Sequence, residues 1–351
     1  MEPISALIVG GGPAGASAAI ALARGGAKPV VIERTAGPHD VVCGGFLGWD
    51  ALASLRALGL DPVALGAHPI HRVRLISDSR AREAALPRPA AGLSRRRLDA
   101  ALLALAAEAG VAVLRGRSAR ALDGRRIRLD DGEELEADAL FLATGKHELR
   151  GAARETDGYG MSVGLRAVLP ADPALDGLIE LHLFDGGYAG LLRQEDGTTN
   201  LCLTVARARM AGGREALFDA LAAEAPLLAG RLDAARAGPW EAVSGVPYGW
   251  RARSASTGCY RLGDQAAVIA SLAGDGIAIA LASGAAAARA FLAGESPDAY
   301  QRGFARAALR PVRVAETLRF MAARPARRRL MMGLAGLPGV AGAAARLTRI
   351  G

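Results

Sequence analysis

The chain has 351 residues, 51% of them apolar, and a formal net charge of +8. That size suits one two-lobed enzyme or two ordinary domains around a sizeable core. The basic residues are nearly all Arg, with Lys only at Lys28 and Lys146, and aromatic residues are 4%; so few rings among the arginines argue against a base-stacking nucleic-acid surface.

Cys43, Cys202 and Cys259 lie far apart, and the five histidines do not cluster. Neither a disulfide framework nor a metal site is expected. The best apolar runs, such as Ala278 to Ala288, are short and made of Ala and Gly, below the length of a membrane span. Met1 to Val9 leads straight into a strand without the marks of a signal peptide, so a cytoplasmic enzyme is expected.

In chain order, Ile4 to Val9 is a short run rich in branched residues and predicts a buried strand. Gly10-Gly11-Gly12-Pro13-Ala14-Gly15 follows, then a helix-forming stretch from Ala16 to Ala23. Gly25-Gly26 ends it, and Pro29 to Ile32 predicts a second strand that ends at Glu33, with Arg34 next to it as a further expected cofactor contact. Each glycine has a physical reason. Gly10 makes the tight turn, Gly12 lets backbone approach a pyrophosphate, and Gly15 lets helix pack closely on strand. The phosphates would then sit at a helix N-terminus, and Glu33, 18 residues after Gly15, would accept hydrogen bonds from a ribose. Strand, glycines, helix and acid together predict a dinucleotide site.

Further on, Ser94 is a candidate N-cap for a helix that runs to Ala109 and stops at Gly110. Val111 to Leu114 predicts a strand. Ala119 to Leu122 and Arg125 to Leu129 predict a hairpin around Asp123-Gly124. Glu136 to Leu142 predicts a strand that stops on Ala143-Thr144-Gly145, small residues over which a cofactor can lie. In the middle third, Tyr159 to Leu169, Leu178 to Phe184, Tyr188 to Leu192 and Thr199 to Val205 read as strands with turns at Gly186-Gly187 and Asp196-Gly197. Late in the chain, Gly263-Asp264 and Gly274-Asp275-Gly276 precede an Ala-rich helix from Ile277 to Leu292. The free N–H groups at that second glycine-rich helix start suit the anionic edge of a reduced flavin. An N-terminal fingerprint whose fold returns late favours FAD over a nicotinamide dinucleotide.

These motifs, taken in order, resemble the flavoproteins that include geranylgeranyl reductases and single-component aromatic-ring hydroxylases (group A). The likeness covers about Leu7 to Leu292. It implies an α/β chain: a Rossmann-like FAD-binding domain of glutathione-reductase type, an inserted antiparallel-sheet substrate domain and a helical C-terminal tail. The corresponding division is 1–60, 90–150 and 255–300 for FAD, 61–89 and 151–254 for substrate, and 301–351 for the tail. By the resemblance, Arg95 of Arg95-x-x-Leu98-Asp99 reaches the FAD pyrophosphate and Asp264 the ribityl chain. Cys43-Gly44-Gly45 lies where the reductases carry a Cys-Gly pair near the flavin, which tilts the reading toward that branch.

The chain also departs from the pattern. Gly190 follows Gly187-Tyr188-Ala189 where a tryptophan is usual, the Asp-Gly pair after the strand ending at Leu142 is absent, and Ser271 stands near the place of a usual proline. Handling of a nicotinamide is therefore not carried over directly. NADH or NADPH remains the expected electron donor.

Two reactions suit such a flavoprotein. One is hydride transfer to or from a carbon–carbon bond of an apolar or aromatic molecule, with Cys43 and Tyr188 as proton-donor candidates. The alternative is oxygen-dependent hydroxylation of an aromatic or polyketide-type substrate. A third reading, outside catalysis, is a flavin-binding sensor. Lys146 and His147 read as a solvated loop after a strand. His182 alternates with Leu181 and Leu183 and reads as a sheet-face residue or, as the other reading, a cavity residue. The tail from Phe304 to Gly351 mixes many arginines with Leu, Met and Phe, and predicts one or two helices with a basic side. They would form a lid over the cavity or, as the other reading, a peripheral contact with an anionic membrane.

Overall fold

The computed structural model describes residues 4–255 and 258–350. The start of the opening segment, 1–3, and the last residue of the tail lie outside the described residues. Strand β1 (Ile4–Val9) leads into α1 (Pro13–Arg24) and returns as β2 (Pro29–Glu33). A short β3 (Phe46–Leu47) and α2 (Trp49–Ala57) precede the long pair β4 (His68–Ser77) and β5 (Arg80–Gly92). Helix α3 (Arg95–Glu108) is followed by β6 (Ala112–Arg115), β7 (Ala119–Asp123), β8 (Arg126–Leu129) and β9 (Glu134–Leu142). Then come β10 (Met161–Leu169), β11 (Gly177–Phe184), β12 (Gly187–Arg193) and β13 (Thr199–Ala206). Helices α4 (Gly213–Glu224) and α5 (Pro226–Arg236) and strand β14 (Glu241–Pro247) close this part. The chain ends with β15 (Tyr260–Arg261), α6 (Gly276–Leu292), α7 (Pro297–Ala307), α8 (Leu309–Ala322), α9 (Pro325–Ala335) and α10 (Val340–Leu347).

The first sheet places β6, β2, β1, β9 and β15 side by side and parallel. A strand covered on both faces reads as a continuous apolar run, as Ala6-Leu7-Ile8-Val9 does with every residue buried. The β7–β8 hairpin extends from the other half of β9. Its register differs by one residue from the sequence expectation. Asp123 pairs with Arg126, so the turn is Gly124-Arg125, with Gly124 taking the left-handed φ of +58°. Glycine supplies that backbone at no steric cost, and Asp123 would not.

Two glycines fix the start of α1. Gly10 has φ +109°, and a Cβ there would lie 2.4 Å from the Ala143 carbonyl oxygen. At Gly15 a Cβ would lie 1.9 Å from the Gly10 carbonyl oxygen. The turn, the helix and the end of β9 therefore meet closer than any side chain allows. This brings the C-terminal ends of β1 and β9 together, the place where open parallel sheets bind ligands.

The second sheet runs β14-β10-β13-β12-β11-β4-β5-β3. It is not wholly antiparallel, because β4 runs parallel to its neighbour β11. The two strands come from distant parts of the chain and the segment between them crosses the nucleotide fold, so no hairpin dictates their direction. Strand β3, within the 1–60 stretch that the sequence assigns to the nucleotide domain, pairs with β5 at the edge of this sheet. The sheet has two unlike faces, as period-2 strands require. On β12 and β13, Ala189, Leu191, Leu201, Leu203 and Val205 join the core with Leu217 and Phe218 of α4 and Leu228 of α5. Tyr188, Gly190, Leu192, Cys202 and Thr204 face the opposite way, into a cavity.

The tail holds more helix than the one or two expected. Helices α8, α9 and α10 follow α7, with α9 against β4 and α10 against β5. They cover the open side of the cavity. Among the described residues, no single helix is long and apolar enough to cross a membrane.

Candidate functional site

A cavity of about 570 Å³ lies between the two sheets and the C-terminal helices. One end is lined by Gly12, Pro13, Ala14, Arg95, Ala143, Gly145 and Asp264. The waist holds Cys43, Gly44, Gly45, Gly274, Gly276 and Ile277. The far end is apolar, with Val73, Leu75 and Ile179 from the second sheet facing Leu318, Met321, Met331 and Leu334 from α8 and α9.

The first end is built for an anion. Helix α1 has Gly12 as its N-cap and no side-chain cap, so its first N–H groups are free. Arg95, at the first turn of α3, extends over Gly12; a Cβ on Gly12 would meet its Nη2 at 3.2 Å. Ser94 caps α3 by accepting from the Arg97 N–H, which fixes where Arg95 starts. Asp99 holds the guanidinium through Nε–Oδ1 and Nη2–Oδ2 contacts of 2.8 and 2.6 Å. Burial works against the Arg95 charge, but Asp99 outweighs it and the pKa rises. Burial also pushes the Asp99 carboxyl upward, against the pull of Arg95.

Glu33 does not line the cavity. It is buried beside the turn, where Oε2 accepts the Gly11 N–H at 2.8 Å and Oε1 accepts the Thr35 N–H and hydroxyl at 2.9 and 2.7 Å. Burial alone would raise its pKa; hydrogen bonds from Thr35 and Gly11 bring it below the usual glutamate value. Its first task here is to hold the turn.

The other residues of the sequence-derived set outside the lining are Gly10, Gly15, Arg34, Thr144 and Asp275. Gly10 and Gly15 shape the turn from behind. Arg34 is exposed, at the end of β2. The Thr144 hydroxyl donates to the His147 carbonyl at 2.7 Å, inside its own turn. Asp275 is fully buried and forms an ion pair with Arg349.

Lys146 corrects the solvated-loop reading. Its side chain is 28% exposed and lines the cavity, with Nζ 3.2 Å from the Asp264 carboxylate. Asp264 raises the lysine pKa against the cost of burial. His147, next to it, is exposed as expected. His182 faces the sheet interior, fully buried, with Nε2 3.3 Å from Glu180.

A group of hydroxyls stands at the cavity wall. Tyr248 Oη is 2.6 Å from Ser271 Oγ and 3.2 Å from Thr204 Oγ1, and Thr204 Oγ1 is 3.4 Å from Tyr188 Oη. Tyr188 and Thr204 are directly opposite each other on β12 and β13. Burial raises the Tyr248 pKa, and the Lys146 charge partly offsets this. Burial, followed by Tyr248, raises that of Tyr188 well above its ordinary value. Burial pushes the Cys202 thiol up to about 12. The cavity therefore offers neutral hydroxyl and thiol donors beside one ammonium. Tyr248, Thr204 and Arg349 were not singled out from the sequence. The rarity of Lys in an Arg-rich chain was the one signal that pointed at Lys146.

The backbone around Cys43 is held from the second sheet. Arg166, almost fully buried, donates to Asn200 Oδ1 at 2.7 Å. Asn200 Nδ2 donates to the carbonyls of Cys43 and Gly44 at 3.0 and 2.8 Å.

A parallel sheet, a glycine turn, an uncapped helix start and an arginine over it occur together, and the family model described as FAD binding domain matches residues 4–151. This segment belongs to the FAD-binding domain family. A menaquinone reductase of Mycobacterium tuberculosis is 32% identical over 219 residues, 56% of this chain and 53% of that protein. The chain thus spans about half the length of this curated relative. Among solved structures, the flavin-dependent brominase Bmp2 superposes with a TM-score of 0.79 at 18% identity, covering 98% of this chain and 93% of that one. A geranylgeranyl bacteriochlorophyll reductase-like protein from Thermoplasma acidophilum gives 0.78 at 19% identity, with 99% and 95% covered. PqsL, described as a probable FAD-dependent monooxygenase from Pseudomonas aeruginosa, gives 0.74 at 18%, with 95% and 100% covered. At these identities the likeness is one of fold: a Rossmann-like FAD-binding domain with an inserted sheet domain.

The residues of the FAD-binding domain suit that cofactor. The α1 start is uncapped, a side chain at Gly12 would fill the approach to it, and Arg95 supplies the cation there. The start of α6, likewise without a side-chain cap, faces the waist of the cavity.

Proposed function

We propose that the chain is an FAD-dependent oxidoreductase that moves hydride to or from a carbon–carbon bond of an apolar or aromatic small molecule. The observation that carries this reading is one continuous cavity. It joins the anion-binding turn to an apolar chamber whose hydroxyls and lysine are gathered at one place. Bound FAD supplies the hydride chemistry. The uncapped start of α1 and Arg95 hold its pyrophosphate, and Asp264 its ribityl chain. The N–H groups of Gly276 and Ile277, at the uncapped α6 start, would hold its ring edge.

The chain's own groups then act on the substrate. The far end excludes water and binds the apolar body. Tyr248, linked to Ser271 and Thr204, delivers or accepts the proton that accompanies hydride, and Lys146 stabilises the phenolate left behind. Tyr188, in the same hydroxyl group, and Cys43, at the waist, serve as second proton carriers. The relative named menaquinone reductase favours a quinone-type molecule with an apolar chain. NADH or NADPH serves as electron donor, and α8–α10 serve as the lid.

An oxygen-dependent hydroxylation is the second reading. It is favoured by the Tyr248–Lys146 neighbourhood, which suits an ionised phenol, and by the likeness to PqsL. Anaerobic reduction of the purified protein with NADH and with NADPH, with prenylated quinones and with phenols present, separates the two. The first reading expects product carrying two added or removed hydrogens without oxygen. Product that forms only on admitting oxygen, and carries an atom of it, overturns that reading.

A further inference from the structure

Asp275 is the residue just before α6, and an aspartate there ordinarily caps its own helix. It does not do so here. Its φ and ψ are −104° and 7°, and its side chain makes no capping hydrogen bond. Instead the fully buried carboxylate pairs with the guanidinium of Arg349, downstream of α10. Arg349 is held from several sides. Its guanidinium lies 4.4 Å from the Trp49 ring centre and 5.9 Å from that of Phe46, and Nε lies 3.9 Å from Asp50. Phe46 in turn packs under Gly274, where a Cβ would lie 2.7 Å from its ring; Gly274 has φ +76°. Arg349 itself lines the cavity.

Arg349 thus ties together the two loops at the cavity waist, 43–46 and 274–276. It also pairs with the Asp275 carboxylate, which sits at the α6 start without capping it. We propose that Arg349 is a positioning residue of the flavin site: by drawing Asp275 away and neutralising it, the tail keeps the α6 start open for the flavin ring edge and sets the reduction potential. This rests on the reading of the cavity as an FAD site. The electrostatic sign is fixed. Reduction adds negative charge to the flavin, so an unpaired carboxylate nearby disfavours it, and an unpaired guanidinium favours it.

The test uses the full chain loaded with FAD and its Arg349→Met, Arg349→Lys, Asp275→Asn and Asp275→Asn/Arg349→Met variants. The readouts are the visible spectrum and the two-electron midpoint potential against a reference dye. Arg349→Met is expected to lower the reduction equilibrium at least about tenfold, about 30 mV. Asp275→Asn is expected to raise the potential. The double variant returns toward the parent value, and Arg349→Lys retains most of it. A merely structural role would move both single variants the same way. Equal-signed shifts, an unchanged potential in both, or a double variant as low as Arg349→Met would overturn the proposal. Should Arg349→Met not fold, Asp275→Asn decides: a potential at or below the parent value refutes it. Hydrogen exchange over residues 340–350 in FAD-free protein gives a separate measure, with faster exchange expected in Asp275→Asn. A parent protein that never takes up FAD refutes the functional reading, while the exchange result still judges the contact between the tail and Asp275.

Discussion

Replacing Gly12 by valine separates the cofactor's needs from those of the fold. Gly12 has φ −71° and ψ −175°, extended backbone that any residue adopts, so the change adds no backbone strain. A Cβ there meets only the ends of two side chains, Arg95 Nη2 at 3.2 Å and Asp99 Oδ2 at 3.9 Å. Stability without FAD should therefore stay within about 1 kcal/mol of the parent. The valine methyls, however, fill the space in front of the α1 N–H groups. Each charge-assisted hydrogen bond lost there costs about 1.5–3 kcal/mol. Loss of one lowers FAD affinity at least about tenfold, and loss of two at least about a hundredfold.

Gly15→Ala serves as the contrast. Its Cβ would lie 1.9 Å from the Gly10 carbonyl, backbone against backbone, so the fold itself must shift at a cost of about 1–3 kcal/mol. Flavin fluorescence titration and thermal unfolding with and without FAD read both effects. Stoichiometric FAD in purified Gly12→Val, at the parent's affinity, would refute the placement of the pyrophosphate.

Tyr248→Phe should lower turnover by about 10²–10⁴-fold with little effect on FAD binding, because it removes the proton carrier and leaves the cofactor's contacts. Since Lys146 lowers the pKa of the buried Tyr248, Lys146→Met should move the alkaline limb of a pH–rate profile to higher pH. An unmoved limb would disconnect the two residues. Glu33 titrates lower when folded than its ordinary 4.5, so its contribution to stability is present above that value and lost as pH falls through the folded pKa. Glu33→Gln should therefore unfold at a lower temperature than the parent at pH 7, with the difference shrinking in acid; a pH-independent difference would contradict the role given to its hydrogen bonds. The exposed side of the C-terminal helices carries Phe320, Leu330 and Leu337, with Arg324 and Arg329 close to them in sequence. If this face meets an anionic bilayer, the protein will float with anionic vesicles and not with neutral ones; equal recovery from both, or from a gradient without vesicles, removes the membrane contact.

The sequence by itself determined the nucleotide turn. Its requirements are local: Gly10 needs a positive φ, Gly15 needs backbone contact, and both lie within one strand–helix unit. Periodicity likewise exposed β10 to β13, because alternation along a half-buried strand is written in consecutive residues. The parallel pairing of β4 with β11 could not be read that way, because the partners are about a hundred residues apart and their direction depends on the whole crossover. The same holds for the site. Lys146 looked like loop surface until Asp264, from β15's end, met it across the cavity. Asp275 looked like a cofactor contact until Arg349, which follows the last helix, claimed its carboxylate. Tertiary structure decided these assignments because a charge settles beside its nearest counter-charge, and chain order does not say which one that is.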